Sequence, residues 1–307
     1  MLDVNKKLKM DEEYAKKSSV IKQIQEQSRR LESRMAGVRH KTAVLSGKGG
    51  VGKSVVTVNL ALALAMRGYR VGILDADING PSIPTMLGIK DFQDTPEKEG
   101  MPVAVAWEGI RVASMQLLLR EPGSPVRWKA TAQAGEAIWK GALEMSVLRE
   151  FLADFAWGEL DHLLVDLPPG TGDKPAGIAQ LIPELAGFLV VTIPSRIARN
   201  TVEKSIRFIE KLGIPVFGLV ENMSHFACPS CGIETDLFAP STKGGMPLGG
   251  VPILTRIPFD QRLSICADEG WPFVKEYPEA PAAKAFSALA GTLEELLRQR
   301  ETFVEQL

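Results

Sequence analysis

Cysteine, histidine and tyrosine are scarce in this chain, with three of each among 307 residues. Three cysteines cannot close a disulfide framework, and a chain this long buries a substantial core without one, which points to a reducing compartment. Charge of one sign is missing as well. With 36 lysines and arginines against 37 aspartates and glutamates, no whole-molecule field is aimed at nucleic acid or anionic lipid, and neither is expected as a partner. No apolar run nears the ~20 residues that cross a bilayer, and the stretch 186–193 is far too short. The N-terminus, MLDVNKKLKMDEEYAKK, has no apolar centre of signal-peptide length. A cytoplasmic globular protein is the expectation, with no internal repeat and no low-complexity linker to divide it.

What is present falls into two textures. Residues 1–41 hold 11 lysines or arginines against 6 acids, with no proline and no glycine before Gly37. Ile21, Ile24, Leu31, Met35 and Val38 fall near one side of a helix. This basic arm is therefore expected to be an amphipathic helix, packed on its own domain or partly frayed, with a partner-binding or membrane-touching arm as the alternative. From 42 to 307, one domain is expected, in which short apolar runs alternate with helical stretches. Strands are expected over 42–46, 69–75, 162–166, 188–193 and 216–221, with a hairpin over 103–107 and 110–115. Helices are expected over 53–67, 137–155, 201–212 and 281–300, the first of them ended by Gly68. Residues 116–135 show no clear period. Strands separated by helices imply right-handed crossovers, hence a mostly parallel α/β sheet with helices on both faces.

The segment Gly47-Lys48-Gly49-Gly50-Val51-Gly52-Lys53-Ser54 fits G-x-x-x-x-G-K-[ST] at every required position. An expected strand precedes it and a strongly apolar helix follows. A tetra-anionic nucleotide needs several donors at short range, and a glycine-rich loop lets backbone N–H groups curl around a phosphate because glycine tolerates positive φ. The following helix turns its N-terminal dipole to the same anion. Lys53 is expected on the β- and γ-phosphates of ATP and Ser54 on Mg²⁺. The fold expected is thus the three-layer P-loop NTPase fold.

Two acidic clusters stand at the carboxyl ends of expected strands, where open α/β sheets bind ligands: Asp75-Ala76-Asp77, and Asp166 ahead of Leu167-Pro168-Pro169-Gly170. A carboxylate there holds Mg²⁺ through water, orients an attacking water, or caps a loop. Cys228-Pro229-Ser230-Cys231 presents two thiols two residues apart. Such a pair serves a shared cluster, half a zinc site, a redox dithiol, or nothing beyond packing. One chain offers two good thiolates where a tetrahedral zinc or four-iron cluster wants four, and a twofold dimer would supply the other pair. Cys266 reads as a core thiol.

The loop resembles the deviant Walker A motif, K-G-G-x-G-K-[ST], of the family containing the nitrogenase iron protein and the MinD- and ParA-type ATPases. In that family the extra lysine reaches across a homodimer to the partner's nucleotide. The resemblance implies this catalytic role for Lys48, beside Lys53. It implies that Asp166 is the Walker B acid, on Mg²⁺ through water, and that Asp77 is the switch I acid orienting the attacking water. Gly170, in switch II, is implied as a backbone donor to the γ-phosphate. Val55 occupies the place next to the nucleotide where the family commonly has Thr, and brings no hydroxyl to the α-phosphate.

Closer still, GKGGVGKS, LDADINGPSIPTMLG, WGELDHLLVDLPPGTGD, KLGIPVFGLVENMSHFACPSCG and GVPILTRIPFD resemble the Mrp/ApbC branch of iron–sulfur cluster carriers, over about residues 42–274. This resemblance implies a slow ATPase that carries a labile iron–sulfur cluster, [4Fe–4S] in type, between Cys228 and Cys231 of two subunits. The expected partners are a second copy, apo iron–sulfur proteins and assembly factors, and Asn222 is implied in contact with adenine. Asn79 and His225 stand where the branch often has Tyr, and Lys174-Pro175-Ala176-Gly177 replaces a more hydroxyl-rich stretch. The alternatives are a MinD- or ParA-like positioning ATPase and an ATPase switch with structural zinc at the cysteine pair. The membrane-bound positioning type wants a basic amphipathic C-terminus, whereas LEELLRQRETFVEQL carries more acids than arginines.

Overall fold

Alternate side chains of a strand serve opposite faces of its sheet, and β1 (Val38–Ser46) does so at the centre of the molecule. Ala43 and Leu45 enter one apolar layer while Val44 enters the other. The computed structural model describes residues 25–90, 100–118, 136–170, 173–228, 231–238 and 250–305, with residues 22 and 92.

A helix over 25–36, α1, precedes β1. Then come α2 (Lys53–Met66), β2 (Val71–Asp75), the single turn α3 (Ile83–Met86), β3 (Ala104–Val105), β4 (Arg111–Ser114), α4 (Glu136–Asp154) and β5 (Leu160–Asp166). The second half holds α5 (Asp173–Leu181), β6 (Leu185–Thr192), α6 (Arg196–Lys211), β7 (Val216–Glu221), β8 (His225–Ala227), β9 (Glu234–Asp236) and β10 (Ile253–Arg256). It closes with α7 (Gln261–Glu269), α8 (Phe273–Glu276) and α9 (Pro281–Glu305).

Eight strands form one sheet in the order β10-β7-β6-β1-β5-β2-β4-β3, and β8 pairs with β9 in a separate ribbon that is bridged once, from Phe226, to Phe259. Every pairing in the large sheet is parallel except β3 with β4, which is the expected hairpin (Ala104↔Val112, Val105↔Arg111). Helices α2, α7, α8 and α9 cover one face. Helices α1, α4, α5 and α6 cover the other. This is the mostly parallel, three-layer architecture the alternation of strands and helices implies.

Helix α2 is apolar nearly all round, and only Ser54, Val55 and Met66 escape burial. Its sequence suits a helix wedged between the sheet and α9 rather than one facing water. The chain leaves it at Gly68, whose φ of 91° puts a glycine just past the helix end.

The basic arm is part of this body where it is described. Leu31 and Met35 of α1 are buried in the same apolar layer as Phe151 and Val165. Lys41 Nζ, itself buried, donates to the carbonyls of Met35, in the last turn of α1, and of Val38, at the start of β1, at 3.1 Å each. Burial pushes the Lys41 pKa down, and the Glu184 carboxylate, 3.6 Å from Nζ, opposes that shift. Strand β1 starts at Val38, so a boundary at 41/42 falls inside a strand; the sequence signal missed this because Arg39, His40 and Lys41 break the apolar run. Ile21 and Ile24 lie outside the described residues, as does most of 116–135.

Helix α6 begins at Arg196, five residues before the apolar period becomes visible, because Arg199 and Asn200 carry no core signal. The helix α5, the ribbon β8–β9 and the segment from β10 to α8 also went unread: each is short, and β8 and β9 contain little to bury.

Candidate nucleotide site and thiol ribbon

The carboxyl ends of β1, β2 and β5 lie side by side, since Val44 pairs with Asp166 and Asp75 pairs with Asp166. Residues 47–52 leave the end of β1 and return into α2. Gly50 and Gly52 adopt φ of 78° and 80°. A Cβ on Gly52 would strike the Asn222 side-chain amide, and one on Gly47 would lie 2.8 Å from Thr201 Cγ2 on α6. The absence of side chains is therefore a packing requirement here as well as a conformational one. Val51 is buried, while Lys48, Gly49 and Gly50 are exposed. Lys48 makes no hydrogen bond or ion pair with the described residues. Val55 is partly buried against the α2 layer, and its carbonyl accepts the Asn59 side-chain amide at 2.9 Å.

Asp166 is the centre of this end of the sheet. Its carboxylate is wholly buried. Oδ2 takes Lys53 Nζ at 2.5 Å and Ser54 Oγ at 2.6 Å, and Oδ1 takes Thr57 Oγ1 at 2.6 Å. A buried carboxylate is tolerable only when paired and hydrogen-bonded, and three donors from the first turns of α2 do this. Ser54 Oγ and Asp166 Oδ2 place two hard oxygen donors together, the donor type magnesium takes. The Lys53 ammonium stands beside them where the α2 N-terminus would face an anion. Thr57 was not singled out in the sequence; its place one turn after Lys53 was the available signal, because i and i+4 share a helix face.

The two acids of the first cluster part company. Asp75 is buried and Asp77 is half-buried. Burial first, and the nearby Asp166 carboxylate second, push the Asp75 pKa up to about 7. Asp77 Oδ1 accepts the Gly80 N–H at 3.3 Å across a tight turn. From the same turn Asn79 Nδ2 donates to Glu144 Oε1 of α4 at 2.9 Å, and Glu144 is buried. Ala76, Asp77 and Asn79 share a cavity of about 200 Å³ with Glu144, Pro168 and Ile178. This bond accounts for Asn79 locally, and Glu144 on α4 carried no sequence signal that would have revealed it.

Gly170, at φ 128°, donates its N–H to the Ser46 carbonyl at 3.0 Å, and Pro169 comes within 4.0 Å of where a Gly49 side chain would begin. The Pro-Pro-Gly segment thus lies against the start and the middle of the phosphate loop. Reaching a phosphate would require the Gly170 N–H to leave that carbonyl, a rotation open to glycine. Lys174 lies in the first turn of α5.

Asn222, buried at the end of β7, donates Nδ2 to the Val51 carbonyl at 2.9 Å. It braces the phosphate loop directly. Met223 follows at φ 51°, a conformation uncommon for a residue with a side chain. Ser224 then bonds through N and Oγ to the Ile257 carbonyl, and its Oγ lies 2.9 Å from His225 Nδ1. His225 opens the ribbon, pairing with Asp236, and its Nε2 lies 3.7 Å from Glu234.

Cys228 and Cys231 sit at the tip of that ribbon. Cys228 N donates to Ile233 O at 2.9 Å and Gly232 N to Cys228 O at 2.8 Å, with Gly232 at φ 70° closing the turn. Cys228 is half-buried and Cys231 exposed, while Cys266 is buried on α7, as a core thiol should be. Ile233, Leu237 and Phe259 remain exposed in the same part of the chain. Among the described residues, no three His, Cys, Asp or Glu side chains converge as a metal site. Also among them, no helix is long and apolar enough to cross a membrane.

The family model for NUBPL iron-transfer P-loop NTPases matches residues 37–294. The chain is 38% identical, over 92% of both lengths, to an iron–sulfur cluster carrier protein of Saccharolobus solfataricus. It is 42% identical to the cytosolic Fe–S cluster assembly factor NBP35 of Eremothecium gossypii, over 84% of this chain and 76% of that one. A solved nucleotide-binding protein of Archaeoglobus fulgidus, in complex with ADP, superposes with a TM-score of 0.68 at 35% identity, covering 84% of this chain and 96% of its own.

Proposed function

The chain belongs to the NUBPL family of iron-transfer P-loop NTPases, and from that premise we propose that it is a cytoplasmic ATP-hydrolysing carrier that holds an iron–sulfur cluster between two copies of itself and delivers it to apo-proteins. The observation that carries the reading is the placement of Cys228 and Cys231. Cys228, half-buried, and Cys231, exposed, sit at the tip of a ribbon joined to Asn222, which touches the phosphate loop, by only five intervening residues. Two thiols fill half of a four-iron cluster's thiolate set, and a twofold axis through the ribbon tips would complete it. A cargo meant to leave belongs at such an exposed edge rather than in a closed cage.

In this reading Gly47, Gly49, Gly50, Val51 and Gly52 cradle the phosphates of ATP, and Val55 lies beside them without a hydroxyl to offer. Lys53 exchanges Asp166 for the β- and γ-phosphates. Ser54 and Asp166 would hold Mg²⁺, which would neutralise phosphate charge. Asp77 orients a water that adds to the γ-phosphorus as the bond to the bridging β–γ oxygen breaks, giving ADP, phosphate and a proton. Lys48 reaches the nucleotide of the second copy, and Gly170 follows the γ-phosphate in switch II, so that its loss relaxes the loop. Asn222 adds a contact to adenine while bracing Val51.

The test is anaerobic reconstitution with iron and sulfide in the presence of ATP and magnesium. The expected product is brown protein with one cluster per two chains, which transfers the cluster to an apo-acceptor. Colourless protein holding stoichiometric zinc, or single chains with uncoordinated thiols in the ultracentrifuge, would overturn the proposal.

A further inference from the structure

Four donors converge on the buried Asp75 carboxylate. Oδ1 accepts the N–H of Asp77 at 3.3 Å. Oδ2 accepts Ser82 N at 3.2 Å, Ile83 N at 3.3 Å and Ser114 Oγ at 3.0 Å. Asp75 has no salt bridge among the described residues, and its strand neighbour is the Asp166 carboxylate. On solvation grounds alone this position favours an apolar side chain, since an acid here is taken out of water beside another acid. What a carboxylate adds is acceptors on both oxygens, and three of the four donors it gathers are backbone amides of 77–83. That loop carries Asp77. Its outer side is tied separately through Asn79 to Glu144.

We infer that Asp75 is a positioning residue for ATP hydrolysis, gripping the 77–83 loop by its amides so that the backbone carrying Asp77 is held in one place. The inference rests on the hydrolytic role given to Asp77 above and identifies what sets that role's geometry. An amide cannot replace the acid. The Asp75→Asn side chain would turn an NH₂ group toward N–H donors on one side or the other, leaving at least one amide of the 77–83 loop without its acceptor and the loop free to shift. Misplacing a water-orienting group by about an ångström costs on the order of 10²-fold in rate without weakening substrate binding much.

The experiment measures ATP turnover, ATP affinity and melting temperature for Asp75→Asn, Asp77→Ala and the double variant. Asp75→Asn should lower kcat by roughly 10- to 100-fold with ATP affinity within about twofold. Because Asp75 acts through Asp77, adding the substitution to Asp77→Ala should cost no further turnover. Equal losses in both backgrounds, or a loss that follows ATP affinity, would overturn the inference. Should Asp75→Asn fail to fold, Ser114→Ala removes one donor from the same carboxylate. It should reduce kcat by about two- to fivefold in the parent and not at all beside Asp77→Ala; unchanged turnover in the parent would equally overturn it. None of these readouts involves the thiols, so failed cluster loading and failure of this inference are separate results.

Discussion

The phosphate loop and the thiol ribbon solve opposite problems with neighbouring stretches of chain. At the loop, Asp166, Lys53, Ser54 and Thr57 form a buried group in which the carboxylate finds its partners inside one subunit. The ribbon lies outside the large sheet, and β8 and β9 pair over three residues each. Among the described residues, no further His, Cys, Asp or Glu joins its two thiols into a metal site. One region satisfies its buried charge within one chain, and the other presents two thiols that the described residues do not close into a metal site. The difference follows from support. The loop is clamped between β1, β7 and α6, whereas a two-stranded ribbon gains little from its own pairing and is held here by its bonds to Ile257 and Phe259.

The contrast predicts a graded set of outcomes. The largest belongs to the ribbon's chemistry: Cys228→Ala or Cys231→Ala should abolish cluster loading, measured by charge-transfer absorption, while ATP affinity stays within about twofold. Lys53→Ala comes next. Removing the ammonium leaves the buried Asp166 without its paired cation, at about 3–5 kcal/mol of unfolding free energy by denaturant titration, and should weaken ATP by at least about tenfold.

A third outcome arises at the opposite, amino-terminal end of the strands. His162 of β5 is buried, its Nδ1 finds no hydrogen-bond partner among the described residues, and the His40 ring lies 5.4 Å away. Burial, and then His40, lower its pKa from 6.5 to about 4. The unfolded chain therefore binds a proton that the folded chain refuses between these values. Stability should be full above about pH 6.5 and fall as the pH drops toward 4, by up to about 3 kcal/mol. His162→Leu should flatten that slope in pH-dependent melting; an unchanged slope would refute the assignment.

Gly52→Ala should cost about 1–3 kcal/mol, because the new methyl meets both a left-handed backbone and the Asn222 amide, and it should blunt ATP binding. The smallest effect is on Lys48. Exposed and unbonded among the described residues, it should shift stability by less than about 0.5 kcal/mol when changed to Ala. Its loss should nonetheless remove ATP-dependent dimerisation in sedimentation, a separation that would sharpen the contrast between what one chain completes and what two must.

Much of the nucleotide region was legible in the chain itself. A glycine-rich run between an apolar strand and an apolar helix has few other physical uses, and β2 and β5 end in acids after runs too apolar to be anything but buried. Legibility failed where partners come from distant elements. Asn79 showed only as an unusual residue until Glu144 appeared beneath it. Asp75 was one of two acids in a cluster, and its depth alone separates it from Asp77. The beginning of β1 was hidden because Lys41, a residue that normally ends a buried run, lies buried with its ammonium on the carbonyls of Met35 and Val38. The ribbon was invisible as structure, although its cysteines were conspicuous, because three-residue strands leave no periodic trace.

Composition and local pattern determined the kind of molecule this is: periodicities of two and 3.6 set the layers, and the glycines and lysine of residues 47–53 set the anion they can surround. These are properties of adjacent residues, so the order of amino acids carries them. Which carboxylate is deep, which amides it grips, and which thiol is exposed and which buried were decided only when distant elements came together. Burial and hydrogen-bond partnership depend on residues far away in the chain, as Asp166 does on Lys53 and Asn222 on Val51, and no local pattern encodes them.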